Sequence, residues 1–202
     1  MGVETKKLSV LDKIARIFYA GFLIVFIFVI SLTLIVPHGM IRVFGVGYYR
    51  VDSPSMDPTL QVNDYVIAVR VDVNNLEEGD IILFNTKRQI GELEMVEKIF
   101  VIHYFGYMNE EGHIFTYPEA NKELAASDPL KYDSWGTKTN PYYVSHRDVV
   151  GAHSQTIRGS SVLSSIYQVF YSPYFYLGVG VLTVGGFASY YYLNTRQKKK
   201  QD

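Results

Sequence analysis

The stretch VDSPSMDPTL, residues 51–60, places two hydroxyls around a proline. A serine becomes a nucleophile when a neighbouring base takes its proton, and a second hydroxyl beside it can stabilise the charge that develops on an attacked carbonyl. Ser53 and Ser55 are therefore candidates for an acyl-transfer site. Ser, Pro and Asp also make ordinary turns, so the chemistry depends on what the rest of the chain puts around them.

Composition narrows what that can be. The chain has 202 residues and no cysteine, which excludes a thiol nucleophile, a thiolate metal site and any disulfide. A net charge of −1 gives no electrostatic footprint for nucleic acid. The basic residues instead flank two apolar runs. Residues 17–36, IFYAGFLIVFIFVISLTLIV, carry no charge, and ~20 helical residues at ~1.5 Å each cross a ~30 Å hydrocarbon layer. Residues 173–193, PYFYLGVGVLTVGGFASYYYL, are also uncharged, with tyrosines near both ends where a bilayer interface favours them. Two transmembrane helices are expected, the alternative for the second run being a strand pair in a soluble core.

Lys6, Lys7, Lys13 and Arg16 precede the first run, and Arg196, Lys198, Lys199 and Lys200 follow the second. The positive-inside rule then puts both termini in the cytoplasm and residues 37–172 outside a plasma membrane crossed twice. The first run exceeds the ~7–15 apolar residues of a signal peptide, and no small-x-small cleavage pattern follows it, so it reads as an anchor. The expected division is a cytoplasmic N-terminus (1–16), a span (17–36), an extracytoplasmic domain (37–172), a second span (173–193) and a basic tail (194–202).

The exterior domain reads as mostly β. GVGYYRV, YVIAVRVDV (65–73) and IILFN (81–85) are rich in β-branched and aromatic residues and bounded by turn formers. EMVEKIFVIHYF suits a longer strand, NEEGH (109–113) a hairpin turn, and IFTY the returning strand. Residues 118–142 are polar and contain three prolines, which suits a surface excursion. VSHRDVVGA returns to the sheet, and SSVLSSIYQVFY (160–171) suits an interfacial helix.

With these elements in place, SPSMDPTL (53–60) followed by GDIILF (79–84) resembles type I signal peptidase, the membrane-bound serine protease that removes signal peptides from exported proteins. The two-span layout resembles its endoplasmic-reticulum-type branch, which also occurs in some bacteria. The resemblance implies a signal-peptidase-like β domain between two membrane helices. It also implies that Ser55 is the nucleophile, that Met56 supports it in the binding cleft, and that the Ser53 hydroxyl helps hold the oxyanion. Pro54 stands at the family's common glycine position. Expected partners are signal-peptide-bearing precursors and the lipid bilayer, with no metal or organic cofactor.

The base side departs from that pattern. The family supplies lysine-arginine, or histidine-arginine in the endoplasmic-reticulum type, where MVEKIFV here aligns Glu97 at the base position and Lys98 at the arginine position, so that Lys98 takes the base role in a register shifted by one residue. An amine acts as base near neutral pH when burial disfavours its charged form by ~4–5 kcal/mol. Strand alternation gives Lys98 the apolar company of Val96, Phe100, Ile102 and Tyr104 for that purpose. Lys98 is the expected base, the other reading being a lysine paired with Glu94 or Glu97 or reaching solvent. Lys87 and Arg88 repeat the lysine-arginine word but read as a solvated hairpin tip. His103 and His146 read as structural, His113 as part of a turn, and His38 as a membrane-boundary residue. FTYPEAN, with Glu119 and Ala120, stands where the family has glycine-aspartate, and Asp128 is a possible substitute from the next loop. Two functions follow: signal-peptide removal by acyl transfer through Ser55, or a catalytically silent relative that binds exported proteins and assists their assembly.

Overall fold

YVIAV and IILF are continuous apolar runs rich in β-branched and aromatic residues, as in strands buried on both faces, and antiparallel strands form there. The computed structural model describes residues 10–90, 95–124, 128, 131–170 and 172–199. The chain divides into two compact units, residues 1–40 and 41–202.

The first unit is built on helix α1 (Val10–Leu34). Helix α2 (Gly39–Phe44) leads into β1 (Val46–Arg50), β2 (Tyr65–Val69), β3 (Ile81–Ile90), β4 (Met95–Met108) and β5 (His113–Tyr117). Short strands β6 (Trp135–Gly136), β7 (Pro141–Tyr142) and β8 (Val144–Ser145) precede β9 (Val149–Ile157). Helices α3 (Val162–Phe170) and α4 (Pro173–Lys199) follow. Among the described residues the sheet order is β1-β2-β9-β3-β4-β5-β8, with β6 beside β3 and β7 beside β6. Every pairing is antiparallel except β3 with β6. The mostly β architecture is thus present.

Both faces of the central strands are covered. Leu83 and Tyr104 join Met56, Leu60, Val66 and Tyr117 in one apolar cluster. Their chain neighbours Ile82, Phe84 and Phe105 join Ile114, Val144 and Trp135 in another. The period of two in β3 and β4 therefore sorts side chains between two cores, and the first core lies under the serine loop.

GDIILF owes its opening to a backbone constraint. Gly79 adopts φ +93°, a region that a Cβ disfavours, and donates its N–H to Phe105 O at 2.8 Å. Asp80 closes the turn by accepting from Glu77 N–H at 2.9 Å, and its carbonyl receives Phe105 N–H at 2.7 Å. This fastening sets the β3–β4 register that runs from Ile81 opposite Tyr104 to Ile90 opposite Met95.

Several expectations change. The strand expected at 81–85 runs on to Ile90, so Lys87 and Arg88 are strand residues, because TKRQI continues the ladder with β4. YVIAVRVDV is strand only to Val69, then closes in a 3-10 turn at Val73–Asn75 capped by Asp72. Residues 118–142 are not all surface excursion: Trp135 reaches a core and β6 pairs with β3. The basic tail expected from 194 is helical through Lys199.

Both expected spans are helical, with α1 of 25 residues and α4 of 27. Among the described residues, however, no helix is long and apolar enough to cross a membrane.

Candidate active site

The serine loop is held at its neck, its floor and its flank. At the neck, Val51 N–H donates to Asp64 O and Asn63 N–H donates to Val51 O, both at 2.8 Å. The buried Asp64 carboxylate accepts from Gln61 N–H at 3.0 Å, Gly159 N–H at 2.8 Å and the Arg158 guanidinium at 2.7 Å. Burial pushes this carboxyl up, but the two N–H donors and Arg158 outweigh it and hold the group below its ordinary range. At the floor, Met56 and Leu60 are each 1% exposed within the first core.

The serines sit above that floor. Pro54–Met56 form a 3-10 turn with Ser53 at its N-cap in extended conformation, closed by Asp57 N–H donating to Pro54 O at 3.0 Å. Proline suits the first position of such a turn, because its φ is already set and no N–H is lost to the ladder. Met56 points inward, Ser53 is exposed and Ser55 half-buried. Ser53 Oγ and Ser55 Oγ lie 3.2 Å apart. Ser53, Ser55 and Met56 thus lie together on one tight turn.

On its flank the loop meets β4 and the 3-10 turn Glu119–Asn121, which packs against Pro54–Met56. Tyr104 OH is the hub of that contact, 2.6 Å from Glu119 Oε2 and 3.2 Å from Thr59 Oγ1, and it accepts from Lys122 Nζ at 3.0 Å. Lys122 Nζ also lies 3.5 Å from Glu119 Oε1 and 4.8 Å from the Tyr104 ring centroid. Burial pushes the Glu119 carboxyl up, but hydrogen bonds from Tyr104 and Thr59 and the Lys122 charge hold it below its usual range. Lys122 is held above its usual value, first by its hydrogen bond to Tyr104 and further by Glu119, against a smaller opposing effect of burial.

Lys98 does not join this cluster. It is exposed on β4, opposite Lys87 of β3, and makes no hydrogen bond or ion pair among the described residues. Alternation keeps it on the face of Tyr104, six residues and therefore ~20 Å along the strand. Val96 is 46% exposed, and Phe100 is the nearest β4 side chain on that face to pack at the core, so apolar neighbours do not enclose the Lys98 amine. Glu97 is exposed opposite Arg88, and Glu94 lies outside the described residues.

The histidines are elsewhere. His103 is buried on the face of β4 opposite Tyr104, its Nδ1 2.7 Å from Asp133 Oδ2, which also accepts from Thr116 Oγ1 at 2.6 Å. His146 is exposed between β8 and β9, and His113 opens β5 beside Glu111 with its ring stacked on Tyr143. His38 follows α1 at φ 55°. Half-buried Asp128 donates its N–H to Leu124 O at 3.0 Å. Among the described residues no group of three or more His, Asp or Glu side chains is arranged to hold a metal ion.

Sequence reasoning missed Tyr104 and Lys122 as parts of the site, and Asp133 as the partner of His103. Lys122 left one trace, its position three residues after Glu119 on the same turn.

Residues 21–102 match the family model described as "Signal peptidase, peptidase S26". The matched stretch holds much of α1, the serine loop, GDIILF and β4 as far as Ile102, and it leaves Tyr104, Glu119 and Lys122 outside. Over that stretch the chain is similar to the signal peptidase S26 family. No curated protein and no solved structure matches the chain.

Proposed function

We propose, from the similarity of residues 21–102 to signal peptidases of the S26 family, that this chain is a membrane-anchored serine endopeptidase that removes signal peptides outside the cytoplasm. The observation that carries the proposal is the Ser53–Ser55 pair, 3.2 Å apart on a loop pinned from below by buried Met56. Ser55 attacks the scissile carbonyl, the leaving amine departs protonated, and water then hydrolyses the acyl-enzyme. Ser53 Oγ and the Ser55 N–H hold the oxyanion. The resemblance looks to Lys98 on β4 for the base; the amine hydrogen-bonded where β4 meets the loop is Lys122, from the turn after β5.

The sheet supports an extended substrate. Strand β1 lies at the sheet edge and ends at Arg50, just before Ser53, so a peptide added along that edge would be led to the serines. Membrane anchoring rests on the full charge-free run 17–36 and on how α1 treats its polar groups. Ser31 Oγ and Thr33 Oγ1 turn back on Ile27 O and Val29 O at 2.8 and 2.9 Å, as hydroxyls facing hydrocarbon must. In α4, Thr183 Oγ1 does the same with Val179 O at 2.7 Å. The two-span layout and an endoplasmic-reticulum-type ancestry belong to the same reading.

A second reading, a silent relative that binds exported proteins, draws on one observation: the only hydrogen-bond partner of Ser55 Oγ among the described residues is Ser53. Incubating the detergent-solubilised full chain with a signal-peptide-bearing precursor separates the two. Processing that Ser55→Ala abolishes without unfolding the domain is the expected result. Binding of the precursor with no cleavage in either form supports the silent relative.

A further inference from the structure

Acyl transfer through Ser55 requires a group that accepts the hydroxyl proton. The base expected on β4 is missing where the strand meets the serine loop: the residue there is Tyr104, hydrogen-bonded to Thr59 of that loop. An amine stands at that contact: Lys122 donates to Tyr104 OH at 3.0 Å. It follows the turn Glu119–Asn121, which packs on the turn carrying Ser55. Its side chain is half exposed, and the amine sits on a four-carbon stem with rotatable donors, so it is not locked at Tyr104.

We propose that Lys122, contributed by the loop after β5 and not by β4, is the general base for Ser55, with Tyr104 and Glu119 as its positioning residues. The inference rests on the peptidase reading of the serine loop.

In the free-amine form, Lys122 Nζ takes the Ser55 proton as Oγ bonds to the scissile carbonyl carbon. The resulting ammonium gives that proton to the departing backbone nitrogen as the C–N bond breaks. In the second half, Nζ takes a proton from the attacking water and returns it to Ser55 Oγ as the ester opens. Between these steps the ammonium is stabilised by Glu119 and by Tyr104 OH, the contacts already present.

These contacts also make the free amine scarce at neutral pH. The titratable groups around Lys122 are Glu119 on its own turn, Tyr104 on β4 and Tyr117 on β5. Glu119 and Tyr104 both favour the ammonium, so the competent fraction grows about tenfold per pH unit until the lysine titrates.

The test is precursor cleavage by the solubilised full chain between pH 7 and 10, with wild type, Ser55→Ala, Lys122→Met, Lys122→Arg, Lys98→Met and Glu119→Gln. Arginine keeps the charge and can still donate to Tyr104 but does not deprotonate, so it separates a base from a structural cation. The expected results are a wild-type kcat/KM that rises with unit slope and losses of ~10²–10⁴-fold in both Lys122 variants with unchanged thermal melts. Lys98→Met should stay near wild type. Glu119→Gln should move the rising limb to lower pH, because one group that holds the proton on Lys122 is gone. Full activity in Lys122→Arg, or loss confined to Lys98→Met, overturns the assignment while Ser55→Ala still abolishes cleavage. Cleavage that survives Ser55→Ala overturns the peptidase reading itself.

Discussion

Ser53 Oγ and Ser55 Oγ stand 3.2 Å apart, one exposed and one half-buried, because Pro54 begins a tight turn between them and Met56 anchors its end in the core. The pair is set by three consecutive backbone positions, so it exists before any substrate arrives. A donor placed ahead of the reaction costs no reorganisation when charge develops.

Ser53→Ala is expected to lower kcat by ~10²–10³ with little change in KM, since the lost donor acts on the oxyanion and not on the bound peptide. Steady-state cleavage of a precursor checks this. A melting temperature equal to wild type would show that the loop still folds.

Tyr104→Phe keeps the ring packed on Tyr117 at 5.2 Å and removes only the hydroxyl shared by Thr59, Glu119 and Lys122. A hydrogen bond to a charged group is worth ~1.5–3 kcal/mol, so denaturant unfolding should detect a loss of about that size. Activity should fall as well, because Glu119 and Lys122 lose their common anchor.

Asp64 gives stability a defined pH dependence. Its folded carboxyl is held below the ordinary value, so its contribution is complete above the unfolded value of ~3.9 and is lost as pH falls through the folded one. Asp64→Asn should be less stable at pH 7 by ~1–3 kcal/mol. Unfolding curves of wild type and variant should converge as the pH drops below ~4. A constant gap down to pH 2 would show that the carboxylate charge is not what holds the neck of the serine loop.

His103 tests the division of labour between the two faces of β4. It is buried with Asp133 away from Tyr104, so His103→Ala should destabilise the domain by ~1–3 kcal/mol by leaving Asp133 short of a partner. Cleavage per folded molecule should be unchanged. Loss of kcat in a folded His103 variant would instead place this histidine in the chemistry.

What was legible in the sequence was local. SPSMDPTL encodes the serine turn through a proline that starts it and apolar residues that seat it, and GDIILF encodes the fastening of β3 through a glycine at positive φ and an aspartate that closes a turn. The strands followed from residue type and the turn formers that bound them, with errors where polar residues such as Lys87 and Arg88 continue a ladder because their partners on β4 are present.

What only the tertiary structure decided is which side chains meet the loop. Lys98 and Tyr104 share one face of β4, and a period of two cannot distinguish them; the register with β3 and the packing of the serine loop do, and they place Tyr104 at Thr59. Lys122 comes to the same point from a turn more than sixty residues beyond Ser55. No spacing within either segment records that meeting, because it is made by the pairing of β4 with β5 and the packing of the two turns on each other.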